Sequence, residues 1–326
     1  MLQKNLNFGI DWCTGALLHA FQRKKGRPLL IGASQFGRIG NRLYLGAHLI
    51  AWAKEKDAIL LNPGFHDYEN LFEGTYRDAL VRFPEPSEPL CLQSGCKEFL
   101  RQSIERISIR LLNRENPVFQ TIDLQPEGPD IADPSFLDRL IARPVTFIRG
   151  FVYNNTCRYI VDAYPAIQRY FRPRRDLLPA IEEPINNLRG QVDVVLGVVI
   201  RHGDFKSWQG GQFYHETEDY IQLMDQAVAT LKGKRVGFFI ASDEDQNPAL
   251  FAHHTFYFRS GHPAENLCAL ASCDGMIAAE SSFTGWSQYY GQVPVYHISR
   301  NLDSNKLQQM AQTALEKSRA RRMPSP

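Results

Sequence analysis

Residues 192–205 have the sequence VDVVLGVVIRHGDF, in which a nearly unbroken apolar run is followed at once by polar residues. β-Branched residues dominate Val192–Ile200, a composition typical of a strand that is buried on both faces of a parallel sheet. The arginine, glycine and aspartate that follow stand at the carboxyl end of this strand, where open α/β sheets bind ligands. The stretch therefore predicts a central parallel strand that ends in a ligand-binding loop.

Beyond this strand, predicted helices and strands alternate to residue 319, which is the signature of α/β layers. The last helix has apolar residues at i, i+3, i+4, i+7 and i+8 from Leu307, a stripe that predicts packing on a core. Strands are predicted at Arg235–Ala241, Thr255–Phe258, Gly275–Ala278 and Val293–Ile298, and helices at Glu216–Leu231, Pro248–His253, Ala264–Cys273, Phe283–Tyr290 and Asn305–Arg319.

The first half of the chain follows the same plan, with a glycine-containing loop between its first strand and first helix. Pro173, Pro179 and Pro184 then interrupt the pattern and predict a domain boundary. We therefore expect an N-terminal extension at 1–26, a first Rossmann-like domain at 27–185 and a second at 186–326. Strands are predicted at Pro28–Ala33, Ala58–Leu61, Phe119–Leu124 and Val145–Phe151, and helices at Ile39–Ala53, Lys97–Leu112, Pro134–Ile141 and Tyr159–Phe171.

Length and composition fit a globular protein of two ordinary domains. The chain has 326 residues, of which 44% are hydrophobic and 22% charged, values that exclude disordered, collagen-like and coiled-coil proteins. The 37 Lys and Arg residues exceed the 35 Asp and Glu residues by two and are mostly dispersed, so nucleic acid is not an expected partner.

The expected location is the cytoplasm. The longest apolar run, Val194–Ile200, falls far short of the ~20 residues that cross a bilayer, and no secretory cleavage site follows the N-terminus. We predict no transmembrane segment, while a peripheral association with a membrane is compatible with the sequence. The six cysteines match neither a C-x2-C zinc pattern nor a small disulfide scaffold, so reduced thiols are expected.

Two loops at strand ends could bind an anion. Gly37-Arg38-Ile39-Gly40-Asn41 precedes a helix whose free N–H groups would face a ligand, but it matches neither the dinucleotide fingerprint nor a P-loop. Arg201 ends the central strand, and its planar donors suit the oxygens of a diphosphate. Asp204 is placed to orient Arg201 or to bind a sugar hydroxyl. Each of these features taken alone is equally compatible with a tight turn or a surface ion pair.

Four motifs occur in one order across roughly residues 28–298. Gly37–Tyr44 resembles the G-x-x-G-N-Q-(M/L)-F opening of the bacterial α-1,2-fucosyltransferases and of their protein O-fucosyltransferase relatives. Val199–Phe205 is similar to the H-x-R-R-G-D-Y of that family, and Ser242-Asp243 to its S-D. Ser281-Ser282-Phe283, with Trp286, resembles its S-S-F-S-W-W. Together these motifs are more specific than any one of them.

The resemblance implies two facing Rossmann-like domains of GT-B type and an inverting transfer of L-fucose from GDP-fucose to a glycan hydroxyl, without a metal or other cofactor. It implies that Arg201 neutralises the leaving β-phosphate, that Asp243 lies near the guanosine, and that Asn41 faces the sugar. His66, Asp67 and Asp204 are candidates by position for taking the acceptor proton. Further donor-binding candidates are Gly37, Arg38, Gly40, His202, Gly203, Ser242, Ser281, Ser282 and Phe283.

Three positions depart from the family pattern, and they keep alternatives open. Val199 replaces a histidine, His202 an arginine and Arg42 a glutamine. The chain could therefore use another nucleotide sugar, or be an inactive relative that binds nucleotide or carbohydrate. Asp243 and Asp245 also form the D-x-D pattern of metal-dependent glycosyltransferases.

Four histidines of the second half are candidate metal ligands by residue type alone. They are His215, His253, His254 and His262. They lack H-x3-H or H-E-x-x-H spacing and are expected to be ordinary surface or core residues.

Overall fold

The computed structural model describes residues 26–152, 158–259 and 261–322, which form two compact units divided between Arg174 and Arg175. Each unit contains one five-stranded sheet. The α/β class with two Rossmann-like units is thereby confirmed. The boundary expected after residue 185 falls inside a helix, Leu178–Gln191, that packs on the sheet of the second unit. The expected extension at 1–26, apart from Gly26, lies outside the described residues.

The sheet of the first unit consists of β1 (Leu29–Gly32), β2 (Ile59–Leu61), β3 (Arg82–Phe83), β4 (Phe119–Leu124) and β5 (Val145–Gly150). The strand order is β3-β2-β1-β5-β4, and all neighbours are parallel except β2 and β3. All four residues of the central strand β1 are buried, which explains why this strand is an uninterrupted apolar run in the sequence. The two-residue β3 was not predicted, because a segment that short has no periodicity to detect.

The first helix of this unit, α1 (Ile39–Glu55), is apolar nearly all round because it is buried nearly all round. It ends in a turn that contains Lys54, a cation near the negative end of the helix dipole. The other helices of the unit are α2 (Ser94–Leu111), α3 (Ser135–Leu140), α4 (Arg158–Asp162) and α5 (Tyr164–Tyr170), with 3-10 turns at Pro63–Leu71 and Glu73–Thr75.

The sheet of the second unit consists of β6 (Val194–Ile200), β7 (Val236–Ser242), β8 (Thr255–Arg259), β9 (Gly275–Ala278) and β10 (Val295–His297). It is parallel throughout, in the order β10-β9-β6-β7-β8. Every residue of β6 is buried, and the strand lies at the centre of the sheet. The prediction made from the apolar run is confirmed.

Helices cover both faces of this sheet, as a doubly wound parallel sheet requires. The predicted stripe that begins at Leu307 is buried and belongs to the main core, so the packing of the last helix is confirmed. None of the helices within the described ranges is both long and apolar enough to span a bilayer. The helices are α6 (Leu178–Gln191), α7 (Thr217–Thr230), α8 (Pro263–Ala271), α9 (Ser282–Gly291) and α10 (Ser304–Arg322), with 3-10 turns at Asp204–Lys206, Trp208–Gly211 and Pro248–Phe251.

A buried carboxylate ties α10 to the central strand. Asp274 is fully buried, and its Oδ2 accepts hydrogen bonds from the Val195 backbone N–H at 2.9 Å and from Arg321 Nη2 at 3.0 Å. Its Oδ1 contacts Arg321 Nη1. Burial lowers the pKa of Arg189 and of Lys317, and Arg321 lowers both further while Asp274 raises them. One carboxylate therefore balances several cations at this end of the sheet.

In the core of the first unit, His48 should make stability depend on pH. Its Nδ1 donates to the Tyr44 carbonyl at 2.9 Å, and burial lowers its pKa to about 4. Below the unfolded pKa of about 6.5, the unfolded chain binds a proton that the native state does not, so lowering the pH destabilises the fold. From pH 7.5 to 5.0 we expect a loss of about 2 kcal/mol from this residue.

The measurement is urea unfolding at both pH values for the wild type and for His48→Leu. The leucine variant should lack this part of the pH dependence, because it has no group to protonate. Equal losses in both proteins would contradict the assignment to His48.

Candidate functional site

The strand order of the second unit defines a crevice at the carboxyl ends of β6 and β9. The chain leaves β6 toward β7 on one side, and the later strand β9 is added on the other side. Ligands bind where the direction of an α/β sheet reverses in this way. Val199 of β6 pairs with Ala278 of β9, so the loops that begin at Arg201 and Ala279 emerge side by side.

Arg201 lies at the carboxyl end of β6 and is held on three sides. Its Nη2 donates to Asp204 Oδ1 at 2.7 Å, and its Nε lies 3.4 Å from Asp243 Oδ2. The guanidinium carbon is 4.9 Å from the centre of the Phe205 ring, which is itself buried. Its side chain is 16% exposed, and its buried Nε makes no hydrogen bond within the described residues. The planar fork is thus oriented before any ligand arrives.

Asp243 orients the Arg201 loop. Its Oδ1 accepts the His202 backbone N–H at 2.9 Å, while Oδ2 faces Arg201. A Cβ on Gly203 would lie 2.9 Å from Oδ2, so a larger residue there would displace this carboxylate. The neighbouring Ser242 caps its own loop, since its Oγ accepts the Glu244 backbone N–H at 3.2 Å. The carboxylate of Asp243 therefore faces the arginine loop of its own unit, which gives the D-x-D alternative no support.

The His202 imidazole faces the protein interior. Its Nε2 lies 3.0 Å from the His215 carbonyl, an acceptor, so Nε2 carries the proton. Its Nδ1 is left to accept from the Gln246 side-chain amide at 3.3 Å. The ring is buried beside Tyr214, at 5.1 Å between centres. A direct role of this side chain in binding the donor, as expected from the sequence, does not fit this placement, because both nitrogens already have protein partners. His202 instead fixes the loop that carries Arg201.

The other side of the crevice is the amino end of α9. Ser281 is its N-cap, and its Oγ accepts the Thr284 backbone N–H at 3.1 Å. Thr284 in turn donates its hydroxyl to the Ala279 carbonyl at 2.9 Å, which fixes the turn after β9. Ser281, Ser282 and Phe283 are all partly exposed. The first backbone N–H groups of a helix point outward without intrahelical partners and favour an anion.

A cavity of about 520 Å³ lies at the carboxyl end of β10, next to these loops in the order of the sheet. Tyr296, His297, Asn301, Asp303 and Lys306 are among the residues that line it. None of them was singled out from the sequence, because the segment after β10 carries no recognisable motif. The polar residues that follow the carboxyl end of β10 are the sequence feature that could have indicated this cavity.

In the first unit, the loop after β1 has the tight geometry expected of a glycine loop. Gly37 has φ +60°, and a Cβ there would lie 2.6 Å from Asn41 Nδ2. Glycine is thus favoured both by the left-handed backbone and by the close approach of the Asn41 side chain. Arg38 is exposed, whereas Gly40 is buried in the first turn of α1.

His66 and Asp67 lie together and are bound to this loop through Arg42. Arg42 Nη1 donates to Asp67 Oδ2 at 2.6 Å, and its Nε donates to the Gly37 carbonyl at 3.2 Å. His66 Nδ1 is 3.0 Å from Asp67 Oδ1, and its Nε2 is 3.0 Å from Glu98 Oε2. Arg42, the departure from the family glutamine, thus joins the two loops. Glu98 was missed because it lies on α2, about 30 residues away in sequence.

The chain is similar to known glycosyltransferases. Residues 143–318, more than half of the chain, match the family described as Glycosyl transferase family 11. The structure of an Arabidopsis thaliana FUT1 mutant in complex with GDP is 13% identical, with a TM-score of 0.56 over 85% of this chain and 72% of that chain. At this identity the likeness shows a shared fold.

Two further solved structures are similar. POFUT1 in complex with GDP-fucose is 12% identical, with a TM-score of 0.49 over 83% of this chain and 98% of that chain. NodZ α-1,6-fucosyltransferase soaked with GDP-fucose is 15% identical, with a TM-score of 0.49 over 85% of this chain and 98% of that chain. No curated protein matches the chain by sequence.

Proposed function

The chain belongs to glycosyl transferase family 11, and from this premise we propose that it transfers L-fucose from GDP-fucose to a glycan hydroxyl with inversion. The observation that carries the proposal is the pre-oriented Arg201 fork at the carboxyl end of β6. The family motifs around Gly37, Arg201, Asp243 and Ser281 support the choice of fucose. The GDP bound by the FUT1 structure that shares the fold supports guanine as the base.

In the proposed reaction, the acceptor oxygen attacks the anomeric carbon from the face opposite the diphosphate, and the bond from that carbon to the β-phosphate oxygen breaks. Negative charge then develops on the β-phosphate. Arg201 and the N–H groups at the start of α9 stabilise that charge, which is the largest contribution in reactions of this type. Because Arg201 and these N–H groups offset the charge of the diphosphate, the proposed mechanism needs no metal ion.

We propose roles for the other residues as well. Asp204 and Asp243 hold the guanidinium, and Gly203 lets Asp243 approach it. We assign Asn41 to the sugar, and His66 with Asp67 to the acceptor and its proton. We also propose a cytoplasmic location, which the four free cysteines among the described residues support, since thiols persist in reducing compartments.

A nucleotide panel tests the donor assignment through thermal unfolding. GDP at ~100 times its dissociation constant should stabilise the protein by about 2.7 kcal/mol, which raises the midpoint by several degrees. GMP should shift the midpoint much less, because it lacks the phosphate that Arg201 would bind. UDP and CDP serve as matched controls for the base.

Stabilisation by UDP or CDP but not by GDP would contradict the donor assignment and favour another nucleotide sugar. An inactive relative would bind GDP equally well, so turnover must be measured separately, as GDP release from GDP-fucose with a panel of glycans. Binding without release on any acceptor class would point to a non-catalytic protein.

A further inference from the structure

Three potential metal ligands from two elements of the second unit converge at one point. Asp225 lies on α7, and His253 and His254 form the turn that leads into β8. The Nε2 atoms of both histidines lie 3.1 Å from the same carboxylate oxygen, Asp225 Oδ1. Their ligating atoms all lie within 4.8 Å of one another. Within the described parts of the chain, no other group of three or more such residues comes as close together.

Hydrogen bonding accounts for one of these two contacts. The His253 Nε2 is aligned for a hydrogen bond with Asp225 Oδ1. The His254 Nε2 lies at the same distance but has no hydrogen-bond partner among the described residues, although its side chain is only 6% exposed. Buried nitrogens of this kind are normally satisfied. A buried imidazole nitrogen without an aligned hydrogen bond therefore faces the carboxylate oxygen that His253 also contacts.

The spacing suits ligands around a common ion. Zinc bonds of about 2.0–2.1 Å in tetrahedral geometry place neighbouring donor atoms about 3.3 Å apart. The observed 3.1 Å from each Nε2 to Oδ1 lies close to that value. Two imidazoles and one carboxylate are a donor set that zinc and neighbouring transition metals bind, with a water in the fourth position.

The packing around His254 holds its ring in one orientation. Its ring packs edge-on against Phe238 of β7, with 4.9 Å between ring centres.

We propose that Asp225, His253 and His254 bind one divalent transition metal of the zinc class, which ties α7 to the edge strand β8. The two histidines precede the amino end of β8, whereas Arg201 and Asp243 follow the carboxyl ends of β6 and β7. In a parallel sheet the amino and carboxyl ends of the strands lie on opposite sides, so the two groups of residues are far apart along the strands. The metal is therefore structural, and it plays no part in the proposed transfer. The spacing of the histidines could not reveal this site, because the third ligand, Asp225, lies on α7, 28 residues before His253.

The test measures zinc binding by protein that has first been treated with a chelator and dialysed. Isothermal titration with Zn²⁺ is performed in a Cys91→Ser, Cys96→Ser background, because exposed thiols also bind zinc. That background should bind one equivalent more than the same background carrying Asp225→Asn with His254→Gln. His297→Gln, which removes an exposed histidine elsewhere, should leave the stoichiometry unchanged.

A second variant covers the case in which removal of the buried His254 disturbs folding. His253 is 53% exposed, so His253→Gln should cost less packing than a change at His254, yet it should weaken zinc binding at least 10-fold. Zinc should also raise the unfolding midpoint of the background protein by several degrees, and that of the Asp225→Asn protein by much less. An unchanged zinc stoichiometry and affinity in His253→Gln and Asp225→Asn would overturn the proposal. No nucleotide is present, so the result is independent of the proposed transferase activity.

Discussion

Replacement of Arg201 by alanine should lower the rate of GDP release from GDP-fucose by about 10²–10³-fold. The guanidinium is held by Asp204 and Asp243 against Phe205, so its charge is already aimed when the diphosphate begins to leave. A charge-assisted hydrogen bond to the β-phosphate contributes about 1.5–3 kcal/mol, so GDP should also bind roughly 10–100-fold more weakly. Calorimetric titration with GDP measures this loss even before an acceptor is known.

Two further variants separate charge from geometry. Arg201→Lys keeps the positive charge but loses the planar fork, and should recover only part of the affinity. Arg235→Ala removes an exposed arginine that is also paired with an aspartate, at the amino end of the same sheet. It should bind GDP like the wild type. Unchanged GDP affinity in Arg201→Ala would remove Arg201 from the site.

Replacement of Asp274 by alanine should lower the free energy of unfolding by about 3–5 kcal/mol. The change leaves a buried Val195 N–H without its acceptor and removes the counter-charge of Arg321. Arg189 and Lys317 then lie near the positive charge of Arg321 without the carboxylate that offsets it. Such a loss is a large fraction of the 5–15 kcal/mol that typically stabilises a protein.

Urea unfolding measures this effect, and the pair Arg235–Asp193 again supplies the control. Because Arg235 is largely exposed, Arg235→Ala should cost less than about 1 kcal/mol. Asp274→Asn keeps the shape and one acceptor oxygen, and should fall between the two. A loss below 1 kcal/mol in Asp274→Ala would mean that the buried carboxylate contributes no net stability.

The α/β fold could be predicted because buried parallel strands leave a clear mark on the sequence. Strands such as β6 and β9 are continuous apolar runs, and the polar loops after them stand out by contrast. The order of the strands could not be predicted, since it depends on which edge each crossover returns to. The short, antiparallel β3 and the 3-10 turns at Pro63–Leu71 carry no periodic signal.

The sequence indicated which loops form the candidate site but not which of their side chains face outward. His202 follows Arg201 directly, yet its ring turns inward to the His215 carbonyl. The partners of His66 and His254 come from helices far away in sequence, α2 and α7, so no local spacing could reveal them. Contacts of this kind depend on tertiary packing, which a single sequence does not encode in any local pattern.

The contact between Asp274 and Arg321 also has a consequence for synthesis on the ribosome. All five strands of the first unit precede residue 151, so that unit can fold while the second is still being translated. Helix α10 can pack on the second sheet only after residue 321 has left the ribosome. Asp274 pairs with Arg321 only from that point on. At about 5–20 residues per second, the roughly 170 intervening residues take about 8–34 s. Until then the apolar residues of β6 that pack against α10 remain exposed, which favours aggregation.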